Sequence, residues 1–257
     1  MSRLSVLPRI MVAPNGARRG KADHPALPVT IPEIVATAAA CHAAGAGAVH
    51  AHVRDAEGQH VLDAGLYREL IAETARQVPG MPVQITTEAV GRYSPAEQRA
   101  LLREVAEDAE GVSIALSELL ADDNTAAARA SYHALAEAGV AVQHILYDAA
   151  DVHRLAREIA RGTVPGGALT TLCVLGRYTT RQQSAPGMLT PFLDAARKAG
   201  LEADWAVCAF GQGETACLRA ALEQGGKARV GFENNLFMED GSHAPDNAAR
   251  VREIAEG

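Results

Sequence analysis

Gly47-Ala48-Val49-His50-Ala51-His52-Val53-Arg54-Asp55 reads as a strand that carries chemistry at one end. Ala48, Val49, Ala51 and Val53 supply the small and β-branched filling of a buried strand, and Asp55-Ala56-Glu57-Gly58 reads as the turn that ends it. Successive side chains on a strand face opposite ways, so His50 and His52 share a face and Arg54 continues it. By strand rise the two histidine Cα atoms stand about 7 Å apart, within reach of one ion. Zinc and its first-row neighbours take imidazole nitrogen, and a catalytic centre uses three protein ligands with a position left open. A third ligand is needed from elsewhere. Without one, the same pair reads as two hydrogen-bonded histidines at a strand end.

On either side of this stretch, short β-like runs alternate with amphipathic helical ones, the rhythm of βαβ units. The strand candidates are Arg9 to Ala13, Ala46 to Arg54, Val83 to Thr87, Gly111 to Leu116, Val140 to Tyr147, Ala168 to Leu175, Trp205 to Phe210 and Ala228 to Phe232. Helices fall in the gaps. Thr30 with Pro32 and Glu33, and Ser94 with Pro95 and Glu97, spell capping boxes at two helix starts, while Gly45 and Gly139 mark helix ends. Eight such pairs with no linker predict one closed (β/α)8 TIM barrel over residues 1–257. The competing open doubly wound sheet calls for a glycine-rich phosphate loop after its first strand, and Asn15-Gly16-Ala17-Arg18-Arg19-Gly20 is not G-x-G-x-x-G.

Composition narrows the function. The chain has 257 residues, a formal net charge of −7 and few aromatic residues, so it lacks the basic footprint of a nucleic-acid or anionic-membrane binder. Four cysteines without C-x-x-C spacing read as reduced core residues of a cytoplasmic protein. Neither a secretory signal nor an apolar stretch of spanning length is expected.

In a barrel of this kind chemistry sits where strands end and βα loops begin. That rule gathers His50, His52 and Arg54 with Thr86, Thr87 and Glu88 on the third strand, Ser113 on the fourth, Tyr147 on the fifth, Arg177 after the sixth and Gln212 after the seventh. The eighth strand, which closes beside the first, adds Arg229 and Glu233-Asn234-Asn235. Glu233 is the best third ligand, giving two imidazoles and a carboxylate with open positions for a carbonyl or water. Arg229 shares its strand face with Glu233 and suits a carboxylate or oxyanion over the ion. A polar turn after the strand is the plainer reading of the same residues.

With these residues in place the chain resembles the β-keto acid cleavage enzyme family nearly end to end. The likeness is carried by Ala22-Asp23-His24-Pro25-Ala26-Leu27-Pro28-Val29-Thr30, His50-Ala51-His52-Val53-Arg54, Gln84-Ile85-Thr86-Thr87, Val174-Leu175-Gly176, Trp205-Ala206-Val207 and Arg229-Val230-Gly231-Phe232-Glu233-Asn234-Asn235, in that order. The resemblance implies a TIM barrel, a divalent metal (usually zinc) on His50, His52 and Glu233, and a homo-oligomer, by expectation a tetramer. It implies a reaction of a β-keto acid with acetyl-CoA that yields acetoacetate and a new CoA thioester. It also implies Arg229 as the catalytic arginine, with Thr86 and Ser113, beside Thr87, at hydroxyl positions that hold the substrate carboxylate.

Three positions depart from the family pattern. Asn234 stands where an acidic partner of Arg229 is expected, Arg18 where the first loop has a glutamate, and Ile145 where the fifth strand has one. An amide accepts no proton at neutral pH. Glu88, in a place where the family tends to have glycine, is the expected replacement for acid–base work, and Arg18 the expected partner of an anionic substrate tail. Arg177 and Arg181, with Arg92, are candidates for CoA phosphates. By its strand parity His144 should point outward. The alternative readings are a metal-dependent lyase or hydrolase of another small oxoacid without CoA, and a barrel that binds metal or metabolite without turnover.

Overall fold

The computed structural model describes residues 4–257. Its parallel strands are β1 (Ile10–Val12), β2 (Ala48–His50), β3 (Val83–Thr86), β4 (Gly111–Ala115), β5 (Ala141–Leu146), β6 (Thr170–Leu175), β7 (Asp204–Ala209) and β8 (Lys227–Val230). They close in sequence order into a barrel, with β1 paired to both β2 and β8. The helices are α1 (Ile31–Ala43), α2 (Ala64–Gln77), α3 (Pro95–Val105), α4 (Leu116–Leu119), α5 (Thr125–Glu137), α6 (Ala149–Ala160), α7 (Thr190–Ala199), α8 (Glu214–Glu223) and α9 (Asn247–Ala255). This is the (β/α)8 barrel that the alternation predicts.

Local chemistry sets the helix starts. Thr30 Oγ1 accepts from the Glu33 N–H while the Glu33 carboxylate accepts from the Thr30 N–H, and Ser94 and Glu97 repeat the exchange at α3. Both capping boxes satisfy backbone donors that the first helical turn leaves free.

Most strands end one residue earlier than the sequence reading has them, and two end earlier still, at His50 rather than Arg54 and at Val230 rather than Phe232. Beyond His50 the chain leaves the ladder. The His52 backbone bonds to the Asn15 side chain instead of a neighbouring strand, and Arg54 forms an antiparallel bridge with His60. Side-chain partners have replaced strand partners there, which frees the loop to shape a site.

The apolar core has an outer and an inner part. Outward-facing strand residues such as Val12, Val49, Ile85 and Val112 pack on Ile34, Leu70 and Leu102 of the helices. Each fully buried Leu or Ile of this kind contributes roughly 1.5–3 kcal/mol. Inside the barrel, Leu4, Met11 and Ala48 plug one end. Leu4 fits because Gly111 has no side chain; a Cβ there would lie 2.6 Å from Leu4 Cδ1. Leu172, Val174, Ala206, Cys208 and Phe210 form an apolar inner wall. The rest of the interior is polar: His50, Gln84, Gln143 and Arg229 are all buried. Buried polar groups are costly unless they find partners, so this sector marks the place to look for function.

All four cysteines are buried and unpaired. Among the described residues no helix is long and apolar enough to cross a membrane.

Candidate metal centre at the mouth of the barrel

Three side chains converge at the C-terminal ends of β2 and β8. His50 Nε2 and His52 Nε2 are 3.2 Å apart, and Glu233 Oε2 lies 3.4 Å from the first and 3.6 Å from the second. Their ligand atoms all fall within 4.8 Å of one another. Both imidazoles are buried, and Glu233 Oε2 is buried without a hydrogen-bond partner. A solvent-excluded carboxylate oxygen facing two imidazole nitrogens is the donor set of a divalent cation, and the residues fit one.

The backbone brings them there by close contact. Gly16 sits at φ +61°, and a Cβ on it would lie 2.6 Å from Glu233 Cγ, so the first βα loop approaches the carboxylate as only glycine allows. Asn15 clamps His52 on both sides of its peptide, donating to its carbonyl at 2.8 Å and accepting from its N–H at 3.2 Å. Glu233 is held from beneath: Asn247 Oδ1 accepts from the Phe232 N–H and Glu214 Oε1 from the Gly231 N–H. Glu214 is paired with Arg250 at 2.7 Å, both fully buried. Arg19 reaches across to donate to the carbonyls of Phe232 and Glu233.

Charge follows geometry. Arg229 Nη2 donates to Glu233 Oε1 at 3.0 Å and touches Cys208 Sγ at 3.6 Å, while its Nε and Nη1 are buried without partners. Burial works against its charge, but Glu233 and Cys208 outweigh burial and raise its pKa. Burial pushes the Glu233 carboxyl up, yet Arg229, His50 and His52 outweigh it and hold the group well below the ordinary range. Burial, then the Arg229 charge, hold His50 far below the usual imidazole value. A neutral imidazole and an ionised carboxylate are the forms that bind a metal.

A cleft opens over this centre, its empty space about 710 Å³ when counted out into open solvent. It is lined by Arg18, His50, His52, Thr86, Glu88, Arg177, Arg229 and Glu233 from among the sequence-predicted residues, with Ile145 and Tyr147 of the β5 end, Val174 and Phe210. Glu88 lies midway across its mouth, 3.8 Å from Arg18 Nη2 and 3.9 Å from His52 Nδ1. Glu118 fixes the loop behind it by accepting from the Ala89 N–H at 3.0 Å. Arg177 lies over the Phe210 ring at 5.1 Å.

Other candidates lie outside this lining. Thr87 and Ser113 are buried with unpartnered hydroxyls, and Arg181 is exposed on the β6 loop. Asn234 is fully buried with neither amide atom bonded, so the residue that replaces the expected acid does not face the cavity. Gln212 is exposed. Arg54 does not line the cavity either: it donates to the carbonyls of Gly16, Arg19 and Gly58, and so ties the first and second loops together. His144 faces outward, buried against Tyr132 with ring centroids 5.6 Å apart, as strand parity predicts.

Sequence reasoning passed over Asn15, Arg19, Gln84, Gln143 and the Glu214–Arg250 pair as supports of the centre. Gln84 Oε1 faces His50 Nδ1 at 3.0 Å. The usable signal was parity: Gln84 stands two residues before Thr86 on the same inward face, and Gln143 two before Ile145.

Known proteins resemble this chain along most of its length. A family model described as beta-keto acid cleavage enzyme matches residues 9–257. The 3-oxoadipate:acetyl-CoA acetyltransferase of Cupriavidus necator is 26% identical over 96% of this chain and 86% of its own length. The 3-keto-5-aminohexanoate cleavage enzyme of Fusobacterium nucleatum is 26% identical over 93% of this chain and 86% of its own. A solved binary complex of ObcA with oxaloacetate shares the fold, with a TM-score of 0.70 at 16% identity over 90% of this chain and 63% of that one, so this chain spans less than two thirds of its length. The match to the family model runs from Arg9 at the head of β1 to the last residue and takes in His50, His52, Arg229 and Glu233: the chain belongs to the beta-keto acid cleavage enzyme family.

Proposed function

We propose that this protein takes a β-keto acid and acetyl-CoA to acetoacetate and a new CoA thioester, at a divalent ion, zinc, held by His50, His52 and Glu233. The observation that carries the reading is the meeting of three ligand atoms within 4.8 Å beside a buried guanidinium with two unpartnered nitrogens. Family membership and the names of the relatives support the same reaction class. Bound there, the ion supplies Lewis-acid polarisation of a carbonyl oxygen.

The chain's own residues do the rest. Arg229 offers Nε and Nη1 to the substrate carboxylate or to the oxyanion that develops beside it, in a buried place where such donors act strongly. The Thr86 hydroxyl lines the same cavity and is assigned to substrate positioning, with Ser113 on the adjoining strand β4 beside it. Glu88 is the nearest cavity carboxylate other than the ligand, and is assigned the proton transfer that Asn234, an amide turned away from the cavity, does not perform. Arg18, exposed at the mouth, is assigned the far end of an anionic substrate, and Arg177 with Arg181 the phosphates of CoA. The same reading takes the protein as a cytoplasmic homo-oligomer, a tetramer by family resemblance.

The test is acetoacetate formation over a panel of mono- and dicarboxylic β-keto acids, with and without acetyl-CoA, for the wild type and for Glu88→Ala. Acetyl-CoA-dependent turnover that falls in the variant is the expected result. Turnover without acetyl-CoA replaces the reading with a lyase or hydrolase, and no turnover on any acid leaves a binding barrel.

A further inference from the structure

A line of buried amides crosses the barrel interior from a proposed metal ligand to a main-chain carbonyl. His50 Nδ1 lies 3.0 Å from Gln84 Oε1, Gln84 Nε2 donates to Gln143 Oε1 at 3.0 Å, and Gln143 Nε2 donates to the Thr171 carbonyl at 3.2 Å. His50 and Gln84 are each 1% exposed and Gln143 2%, so water does not compete for these bonds.

The carbonyl fixes the polarity of the whole line. It only accepts, so it meets the NH₂ end of Gln143. The Gln143 oxygen then faces Gln84 and meets its NH₂ end, which turns the Gln84 oxygen toward His50. An imidazole nitrogen that faces an acceptor carries the hydrogen. We infer that Gln84 and Gln143 are positioning residues that set the tautomer of His50, with hydrogen on Nδ1 and the lone pair of Nε2 aimed at His52 and Glu233. Reversing every member would set the Gln143 and Thr171 oxygens against each other with no donor between them, a buried and unsatisfied pair.

A consequence falls on His52. Its Nε2 is 3.2 Å from His50 Nε2, and two lone pairs do not share that space. In the metal-free protein the His52 Nε2 that faces this lone pair therefore carries a hydrogen and donates it. Ligation through this nitrogen would require the hydrogen on Nδ1, which is buried without a partner, with a Glu88 oxygen 3.9 Å from it. His50 as folded already has the tautomer that suits an ion, whereas His52 would have to exchange its own.

The purpose of this device rests on the metal reading, but the tautomer itself belongs to the protein without an ion. The experiment is two-bond ¹H–¹⁵N NMR of histidine-labelled, metal-free full-length protein, paired with zinc affinity by chelator competition. Expected for the wild type is hydrogen on His50 Nδ1 and on His52 Nε2. In Gln143→Leu the His50 signals should move toward a mixture of tautomers and zinc affinity should fall tenfold to a hundredfold, the usual effect of losing an outer partner of a ligand. Gln84→Glu, which as the buried carboxylic acid keeps an acceptor toward Nδ1 and a donor toward Gln143 Oε1, should retain the tautomer and most of the affinity, whereas a merely structural role would not be rescued this way. Hydrogen on His50 Nε2 in the wild type overturns the inference, as does a Gln143→Leu protein with unchanged tautomer and affinity. Should that variant fail to fold, the wild-type spectrum decides alone. A wild type that binds no zinc yet shows the Nδ1 hydrogen overturns the metal reading and supports this one.

Discussion

His50, the last residue of β2, and His52, two residues beyond it, face one cavity, and they are supported in different ways. His50 is held from the barrel interior by an amide line that ends on a strand carbonyl. His52 is held through its backbone by Asn15, while its ring has an unpartnered Nδ1 and a carboxylate 3.9 Å away on a neighbouring loop. The interior support is satisfied and shielded from water; the loop support is open and adjustable. Floor residues should therefore govern whether the ion binds, and mouth residues which substrate is accepted.

The strongest challenge to this division is His50→Ala. Loss of a direct ligand should abolish stoichiometric metal and cost several kcal/mol of transition-state stabilisation, roughly a thousandfold in turnover. Full turnover in this variant would end the account of the floor. A buried histidine away from the site sharpens the contrast, because His144 faces outward and packs on Tyr132. Burial lowers its pKa from 6.5 to about 4. The unfolded chain takes up that proton first as pH falls, so the stability tied to neutral His144 is present above pH 6.5 and lost on the way to pH 4. The loss is on the order of 3 kcal/mol. Melting temperatures across this window should fall for the wild type and fall less for His144→Phe.

Gly16→Ala tests the contact between mouth and floor. At φ +61° with a Cβ 2.6 Å from Glu233 Cγ, the methyl group should cost about 1–3 kcal/mol of stability and weaken metal binding, as read by thermal melts and chelator titration. The smallest effect belongs to the exposed Arg18. Arg18→Ala should raise KM for a dicarboxylic substrate roughly threefold, the scale of an exposed ion pair, and leave a monocarboxylic substrate and metal content unchanged. A change in metal content would blur the division between floor and mouth.

Much of this was legible from the chain alone. The βα alternation and the Thr30 and Ser94 boxes give the barrel, and barrel closure places Glu233 near the His50-Ala51-His52 strand. Sequence distance concealed the supports. Gln84 and Gln143 are 59 residues apart, on strands that are not neighbours, and meet only because a closed barrel turns both inward. Arg54 looked like a third site residue by strand parity, but the strand ends at His50, so parity no longer applied to it. Thr87 and Asn234 fall outside the cavity lining for a related reason: a position one residue beyond an inward-facing one turns to the other side.

The most direct test of the central claim is elemental analysis of the purified protein beside the His50→Ala/His52→Ala double variant. The account predicts about one divalent ion per chain in the wild type, absent from the variant. A wild type without metal, or a variant that keeps it, would contradict the centre on which the rest depends.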